Sequence, residues 1–403
     1  MILSHSFTIL LTWELGEHLG HIARLRPVAM ELQRRGHHVV FAASNLKKVS
    51  TLPESLLVIP APGPLPDPIR DRIREPATFA DILYNAGVTQ GDMLAGVVRA
   101  WRGVFDLIKP DVVVQDYSPQ ALLALQGYDS RSLLLGTGFA CPPDIHPLPD
   151  IRAWQNHYPD RLKMTEQQVL EALNRQLARQ GQPLLAGIGE LFTRVDANCL
   201  TTFPELDHYP ERVNSTSTPT DYVGVWSDLD GELPNWPKAE GPRVFAYLKP
   251  FRALPNLLDH LAESGFPCLV YLSADMDTCR WQSETLCIVD APLDMNRVTR
   301  ECDMAILHAG HGSTANVLLA GKPILQLPFN VEQFHTSKNT ERMGAGAMAM
   351  VNDPAEIISA FDRVVADAAM GEAATSFARH YQGFDPANAL ETVVNRIEAL
   401  AAS

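Results

Sequence analysis

A turn around residue 310 carries groups that an anionic ligand needs. The apolar run Asp303 to Leu307 predicts a strand, and the run Ser313 to Ala320 predicts a helix. Gly310 and Gly312 therefore fall in the turn between the two. Glycine lets backbone N–H groups approach a ligand closely, and the helix N-terminus behind the turn carries partial positive charge. This arrangement suits a pyrophosphate, to which Ser313 can add a hydroxyl.

Three polar side chains flank this turn. His308 can donate from its imidazole to a phosphate oxygen, which would neutralise part of a diphosphate's charge as a sugar leaves it. A second predicted strand, Pro323 to Leu327, is followed by Glu332 and Gln333. A carboxylate beside an amide suits the recognition of hydroxyl groups. The segment therefore predicts a site for a sugar that is attached to a diphosphate.

Two other interpretations of the turn remain open. It could be an ordinary α/β turn whose glycines only cap and pack, because glycine-rich turns alone are weak evidence. A dehydrogenase-type dinucleotide site fits less well. No G-x-G-x-x-G motif stands between a strand and a helix near the N-terminus, and Gly16 to Gly20 has a different spacing.

The polar groups of this segment resemble the donor-site signature of nucleotide-sugar-dependent glycosyltransferases of the GT-B fold. The similarity is greatest to the bacterial natural-product branch of the UDP-glycosyltransferase superfamily. The family pattern is H-x-G-x-x-S-T, then a G-x-P strand and a D/E-Q pair, and it is met by His308, Gly310, Ser313, Thr314, Gly321, Pro323, Glu332 and Gln333. The resemblance implies that the His, the Gly and the Ser hold the diphosphate, while the acid–Gln pair holds sugar hydroxyls.

Two positions depart from the family pattern. Plant-type members carry a Glu for the ribose hydroxyls three residues after the Ser, where this chain has Asn316. The Gln expected after the family's Ala-Pro is Leu293. An Asn can still bind a ribose, but the loss of the carboxylate fits a deoxyribose equally well. We therefore expect a UDP-sugar, the commonest donor of the family, with a dTDP-sugar as the alternative.

The N-terminal region predicts a βαβ unit. Ser6 to Trp13 reads as a strand, Ile22 to Arg35 has apolar residues at helical spacing, and His38 to Ala42 supplies the next strand. The loop that carries His21 then lies at the carboxyl end of the first strand. Open α/β sheets bind their ligands at that edge.

His21 is the candidate catalytic base. An acceptor hydroxyl attacks an anomeric carbon only as its proton is removed, and a histidine near neutral pKa suits that task. The G-H-x-x-x-x-x-P run of Gly20 to Pro27 and the R-G-H of Arg35 to His37 resemble the start of the same family. In that family the His of the G-H pair is the base. His18 is a rival base, and His21 could instead be a helix N-terminal residue without a chemical role.

Asp116 is the candidate partner of this base. A carboxylate that accepts from the other ring nitrogen stabilises the imidazolium and raises its basicity. Asp116 follows the apolar run Asp111 to Gln115, so it too lies at the carboxyl end of a predicted strand. The element from Lys109 to Tyr117 resembles the P-D-hydrophobic strand after which family members place this Asp. Its other interpretation is a helix cap.

Composition restricts the partners that can be expected. The chain has 403 residues, 46% hydrophobic and 20% charged, and 33 Lys plus Arg oppose 47 Asp plus Glu. That balance argues against nucleic acid and anionic membranes as general partners. No run approaches the length of a membrane span, and the opening residues lack the features of a signal peptide.

The remaining residue patterns argue for a cytoplasmic protein without a metal or cofactor. The six cysteines form no C-x-x-C pair and read as scattered reduced thiols. Asp275-Met-Asp277 has the spacing of a metal-binding D-x-D motif, but it lies far from the other motifs and reads as an exposed loop. We expect no metal and no cofactor, with the nucleotide sugar as co-substrate.

The sequence predicts an α/β protein with two doubly wound, Rossmann-like domains. The N-terminal domain covers residues 1–215, a linker rich in Pro, Ser, Thr and Asp covers 216–240, and the second domain covers 241–385. Residues 386–403 form an amphipathic helix. The resemblance implies that the domains face each other across a cleft holding the active site, and that the helix crosses back onto the N-terminal domain.

The predicted function is that of an inverting, metal-independent glycosyltransferase. It would move a sugar from a UDP-sugar or dTDP-sugar to a hydroxyl of a small, fairly apolar acceptor, whose identity the sequence does not reveal. Residues that could line an acceptor pocket are Trp13, Tyr84, Met93, Tyr117, Phe139 and Trp154, each of which is also plausible as plain core. Two alternatives are a nucleotide-sugar epimerase of the same fold and a non-catalytic ligand-binding homologue that is a partner to another enzyme.

Overall fold

The chain folds into two compact α/β units. The computed structural model describes residues 5–16, 19–63, 72–214, 220–226, 231–273 and 276–403. Unit 1 comprises Met1–Phe203, Tyr209–Trp226 and Pro386–Ser403, and unit 2 comprises Pro204–His208 and Ser227–Asp385. Each unit has its own parallel sheet. The expected α/β class with two Rossmann-like domains is confirmed.

Unit 1 is built on a seven-stranded parallel sheet. Its elements in chain order are β1 (Thr8–Trp13), α1 (Gly20–Arg34), β2 (His38–Ala43), β3 (Leu57–Pro60), α2 (Phe79–Asn85), α3 (Gly91–Ile108), β4 (Val112–Asp116), α4 (Pro119–Leu125), β5 (Arg131–Gly136), α5 (Pro159–Arg179), α6 (Ile188–Thr193), β6 (Ala197–Leu200) and β7 (Thr220–Tyr222). The strand order is β3-β2-β1-β4-β5-β6-β7. The order reverses direction between β1 and β4.

Side-chain alternation along β1 separates two apolar cores, one on each face of this sheet. Ile9, Leu11 and Trp13 pack on the face that α1 covers, while Leu10 packs on the opposite face with α2 and α3. Successive residues of a strand point to opposite faces, so a strand buried on both sides reads as a nearly continuous apolar run. That is why the sequence signalled this strand clearly.

Unit 2 is built on a six-stranded parallel sheet. Its elements are β8 (Val244–Leu248), α7 (Leu254–Glu263), β9 (Cys268–Leu272), β10 (Leu286–Val289), α8 (Met295–Glu301), β11 (Met304–Leu307), α9 (His311–Leu319), β12 (Ile324–Gln326), α10 (Val331–Arg342), β13 (Gly346–Met348), α11 (Pro354–Ala366) and α12 (Ala368–His380). The strand order is β10-β9-β8-β11-β12-β13. Here the order reverses between β8 and β11.

The last helix, α13 (Pro386–Ala401), belongs to unit 1. Val393, Val394 and Ile397 are fully buried in the core between this helix, α1 and the sheet. Glu398 accepts hydrogen bonds from Arg35 at 2.8 Å and from His37 at 2.9 Å. Apolar burial, the Arg35–Glu398 ion pair and the His37–Glu398 hydrogen bond therefore hold the end of the chain to the first βαβ unit.

Several element boundaries differ from those expected from the sequence. Helix α1 begins at Gly20, which places His21 in its first turn and not in the preceding loop. Helix α9 begins at His311, so Gly312 and Ser313 lie in its first turn and only Gly310 precedes it. Strand β7 lies inside the stretch that was expected to be an irregular connection. Helix starts shift by two residues because the local pattern does not mark which residue closes the first helical hydrogen bond.

Candidate functional site

The structure brings His21 and Asp116 together at the point where the sheet of unit 1 reverses its strand order. Asp116 is the last residue of β4, and it pairs in register with Trp13, the last residue of the neighbouring β1. The Nδ1 atom of His21 lies 3.0 Å from Oδ2 of Asp116. Because a carboxylate oxygen can only accept, Nδ1–H donates, and in the neutral ring Nε2 carries the lone pair. This is the tautomer that a general base needs.

Burial distinguishes the two members of the pair. The side chain of His21 is 14% exposed, while that of Asp116 is 1% exposed. Burial alone would raise the pKa of Asp116, but Arg24 and His21 outweigh it and hold that pKa below the ordinary value. Asp116 is therefore a carboxylate at neutral pH.

Arg24 is a third member of this cluster, which the sequence analysis did not name. Its Nη1 donates to the same Oδ2 of Asp116 at 2.5 Å, and its side chain is 12% exposed. Residues three apart on a helix share a face, so Arg24 reaches the carboxylate that His21 also contacts. That spacing was the available signal. The guanidinium cannot lose its proton, so it keeps Asp116 ionised.

Aromatic rings fix the orientation of the His21 imidazole. Trp13 stacks on it with ring centroids 5.2 Å apart and planes at 20°, and the Tyr117 ring lies 6.0 Å away. Tyr117 has a φ of 52°, a left-handed conformation that is uncommon outside glycine. Its carbonyl accepts from the Leu15 N–H at 3.1 Å, which joins the loops after β1 and β4. Backbone strain of this kind is concentrated at functional sites.

Glu14 anchors the loop that follows β1. Its carboxylate accepts from the backbone N–H groups of Gln120 at 2.9 Å and Ala121 at 2.6 Å, at the start of α4. Burial raises the pKa of Glu14 to about 8.

The rival base His18 lies outside the described residues.

The six expected acceptor-pocket residues fall into different places. Trp13 and Tyr117 lie against His21, as described above, and Tyr84 and Met93 pack on the core that α2 and α3 share with the sheet. Phe139 stacks on Tyr209, and Trp154 is 45% exposed beside Arg152.

Phe79 is a fully buried core residue that lies next to Tyr117. Its ring lies 6.1 Å from that of Tyr117 and 5.4 Å from that of Phe192. The sequence places it at the start of a short helix, where nothing distinguishes it from other core residues.

The donor-side residues of unit 2 also gather where the strand order reverses. His308 directly follows β11, and Lys249 directly follows its neighbour β8. Gly310 caps α9, whose first turn presents backbone N–H groups. An added Cβ at Gly312 would meet nothing within 4 Å, so the protein itself leaves space beside this turn. Ala309 has a φ of 53°, a left-handed conformation like that of Tyr117 in unit 1.

His308 is engaged differently from the expectation. Its Nδ1 lies 2.8 Å from the Leu327 carbonyl, and its Nε2 lies 2.8 Å from the backbone N–H of Lys249. The carbonyl can only accept and the amide can only donate, so the ring is neutral with its proton on Nδ1. Burial lowers its pKa to about 4. In this structure the ring therefore has no N–H left for a phosphate oxygen, contrary to the expected donation.

The other expected donor-binding residues are arranged around α9 and α10. Ser313 and Asn316 are half-buried, whereas Thr314 is fully buried and does not present its hydroxyl at the surface. Glu332 and Gln333 lie in the first turn of α10. The side-chain oxygen of Gln333 accepts from the Phe329 N–H at 2.7 Å, which leaves its NH₂ group to donate. Asn330 caps this helix by accepting from the Gln333 N–H at 3.0 Å.

Unit 2 also contains a cavity away from the expected donor-binding residues. A cavity of about 640 Å³ in unit 2 is lined by Asp303, Lys322 and Arg379 among others. It lies at the amino ends of β11 and β12, opposite to the edge that carries His308. In the described part of the chain, no group of three or more His, Cys, Asp or Glu side chains could hold a metal ion. Asp275 of the D-x-D spacing lies outside that part.

Within the described ranges, no helix combines the length and the apolar character that crossing a bilayer requires.

Solved structures share this fold across nearly the whole chain. A glycotransferase of kitacinnamycin is 14% identical, with 98% of this chain and 99% of that chain covered and a TM-score of 0.71. The glycosyltransferase VinC in complex with dTDP is 16% identical, covers 98% and 99%, and has a TM-score of 0.68. The glycosyltransferase SsfS6 of Streptomyces sp. SF2575 with thymidine diphosphate is 19% identical, covers 96% and 99%, and has a TM-score of 0.60.

These similarities confirm the expected GT-B fold. No protein-family model and no curated protein sequence matches the chain. At identities below a fifth, the likeness establishes the fold, and the function has to be argued from the residues of this chain.

Proposed function

We propose that this protein is an inverting, metal-independent glycosyltransferase. It transfers a sugar from a nucleotide diphosphate sugar to a hydroxyl of a small, fairly apolar acceptor. One observation carries the proposal: the buried Asp116 carboxylate orients His21 as a base at the switch point of a sheet, in a fold that solved glycosyltransferases share.

In the proposed reaction, His21 removes the acceptor proton as the hydroxyl oxygen attacks the anomeric carbon. The Nε2 atom takes the proton, and the Nδ1–H bond to Asp116 stabilises the imidazolium that forms. The new glycosidic C–O bond forms on the face opposite to the breaking bond between the anomeric carbon and the diphosphate oxygen. A single displacement of this kind inverts the anomeric configuration.

The nucleoside diphosphate leaves toward the N-terminus of α9. Backbone N–H groups of its first turn, Gly310 and the Ser313 hydroxyl supply hydrogen-bond donors to the developing negative charge. Glu332 and the free NH₂ of Gln333 are placed to bind sugar hydroxyls. Because this cradle consists of protein groups, we propose that transfer needs no metal. Unchanged turnover in EDTA is the expected result.

His308 has an altered role in this proposal. Its neutral ring ties the Lys249 backbone N–H to the Leu327 carbonyl, so it holds the ends of β8 and β12 next to α9. We propose that it positions the cradle, and that any direct bond to phosphate requires the Lys249 contact to be given up. The sequence predicted that His308 donates to a phosphate oxygen, whereas both of its ring nitrogens are engaged by the protein backbone.

Two candidates remain for the nucleotide. The sequence favours a UDP-sugar through its family resemblance. Asn316, which supplies no carboxylate for ribose hydroxyls, and the dTDP bound in VinC and SsfS6 support a dTDP-sugar. Thermal shifts with UDP and dTDP at equal concentration separate them, because the stabilisation grows with the logarithm of ligand concentration over Kd.

The activity itself is tested by incubating the protein with UDP-glucose and dTDP-glucose, with and without a panel of hydroxylated apolar acceptors. A glycoside product with release of nucleoside diphosphate supports the proposal. An epimer formed from the donor alone would establish the epimerase alternative. Binding of the nucleotide without either product would point to the non-catalytic homologue.

A further inference from the structure

Gly16 faces the reactive nitrogen of His21. A Cβ built on Gly16 would lie 2.5 Å from Nε2 and 3.3 Å from both adjacent ring carbons, Cδ2 and Cε1. The two equal distances place the Cβ on the outward side of Nε2, midway between the two ring carbons and tilted out of the plane of the ring. A hydroxyl oxygen hydrogen-bonded to Nε2, at about 2.6–3.2 Å from that atom, would overlap a methyl group at the Cβ position.

We propose that Gly16 determines access to the catalytic base: the absence of a side chain at this position keeps open the space in which the acceptor hydroxyl approaches Nε2. The inference rests on the proposed function, to which it adds a residue that the family resemblance did not single out. Gly16 contributes no reactive group. It acts on the reaction only by leaving space beside Nε2 of His21, so it is a positioning residue.

The ring cannot easily move away from a larger residue at position 16. Its Nδ1 is held by Asp116 at 3.0 Å, and Trp13 stacks on its face. The loop is also held, since Glu14 accepts two backbone hydrogen bonds from the start of α4. A methyl group at position 16 must therefore cover the nitrogen or break one of these contacts.

Backbone conformation alone could also explain a glycine here, because Gly16 has a φ of +85°. Left-handed backbone is unfavourable for an L-residue that carries a Cβ. Gly36 provides a matched control: its φ is +94°, and an added Cβ would meet nothing within 4 Å. Gly36→Ala thus carries the same kind of strain in the same unit, without a side chain in front of His21.

The first experiment does not depend on transferase activity. Diethyl pyrocarbonate acylates unprotonated imidazole nitrogens, and mass spectrometry of proteolytic fragments reports the modification of His21 separately. We expect Gly16→Ala to slow acylation of His21 at least about tenfold, the effect of a small increase in barrier, while Gly36→Ala leaves it unchanged. Equal rates in wild type and Gly16→Ala would overturn the proposal, whether or not the chain transfers sugars.

The second experiment uses turnover on an aliphatic alcohol acceptor. Gly16→Ala should lose about 100-fold or more, comparable to loss of a general base, with nucleotide binding retained. In a His21→Ala background the same change should cost little, because residues that act through one group are not additive. A Gly16→Ala variant as active as Gly36→Ala, or an equally large loss in the His21→Ala background, would show that Gly16 serves only the backbone.

Discussion

At the scale of single residues, Asp116 determines how charge is distributed in the His21 cluster. The Oδ2 oxygen of this buried carboxylate accepts hydrogen bonds from both His21 and Arg24. The arginine keeps it ionised against the effect of burial. The histidine is thereby oriented with Nε2 available as the base. The sequence indicated His21 and Asp116 from their places after strands together with the family resemblance, whereas Arg24 required the helix face to be considered.

Replacing Arg24 should shift the acidic side of the profile of kcat/KM against pH to higher pH. Without the guanidinium, burial of Asp116 is opposed only by His21, so the pKa of Asp116 rises. The carboxylate is then lost at a higher pH than in wild type, and turnover should fall earlier on acidification. We expect Arg24→Met to show this shift in kcat/KM against pH and Arg24→Lys to reverse part of it. A profile of unchanged shape would contradict the role given to Arg24.

His308 should make the protein less stable in acid. Its pKa is lowered from 6.5 to about 4, so between these values the unfolded chain binds a proton that the folded protein does not. Stability is therefore intact above pH 6.5 and falls as the pH decreases toward 4, by up to about 3 kcal/mol. Urea unfolding at several pH values measures this slope.

The matched variant for this measurement is His308→Gln, which cannot titrate. Its lost contacts lower stability at every pH, but its slope between pH 6.5 and 4 should be shallower than in wild type. If the two slopes coincide, the neutral, buried state of His308 does not contribute to acid sensitivity.

At the scale of elements, the strands were predicted well and the starts of helices poorly. β4 and β11 are apolar runs buried on both faces, which is a strong local signal. Helices α1 and α9 each begin two residues earlier than expected, at Gly20 and His311. Neither start is capped by a side chain, so the sequence carried no capping signal there.

The terminal helix α13 should contribute strongly to the stability of unit 1. Ile397 is fully buried against the core of that unit. Ile397→Ala should lower the free energy of unfolding by about 2–5 kcal/mol, since it removes buried methylene groups and leaves a cavity. Glu391, whose side chain is 61% exposed on the same helix, provides the control, and Glu391→Ala should change stability by less than about 0.5 kcal/mol. Equal effects of the two changes in urea unfolding would contradict this packing.

At the scale of the whole molecule, both sheets place their polar residues by the same rule. Each sheet reverses its strand order once, between β1 and β4 in unit 1 and between β8 and β11 in unit 2. His21 and Asp116 mark the first position, and His308 and Lys249 mark the second. The connections that leave the carboxyl ends of the two strands at such a reversal go to opposite faces of the sheet, which leaves a crevice for a ligand.

Contacts between residues far apart along the chain are the features that could not be predicted from the sequence. The fold class and the His21–Asp116 pair could be inferred because strand ends and glycine turns are local signals. The contact of Lys249 with His308, 59 residues apart, could not, since the order in which strands pair is not written in any one segment. It is this contact that changed the expected chemistry of His308.

The measurement that tests the central claim most directly is turnover of His21→Ala on an aliphatic alcohol acceptor. A phenolic acceptor would need little help to ionise, so it would not report on the base. We predict a loss of roughly 100-fold to 10,000-fold, the range for a missing general base, with nucleotide binding nearly unchanged. Asp116→Asn should lose less, and it should add little in the His21→Ala background. Near-normal turnover of His21→Ala together with an inactive His18→Ala would contradict the account and place the base at His18.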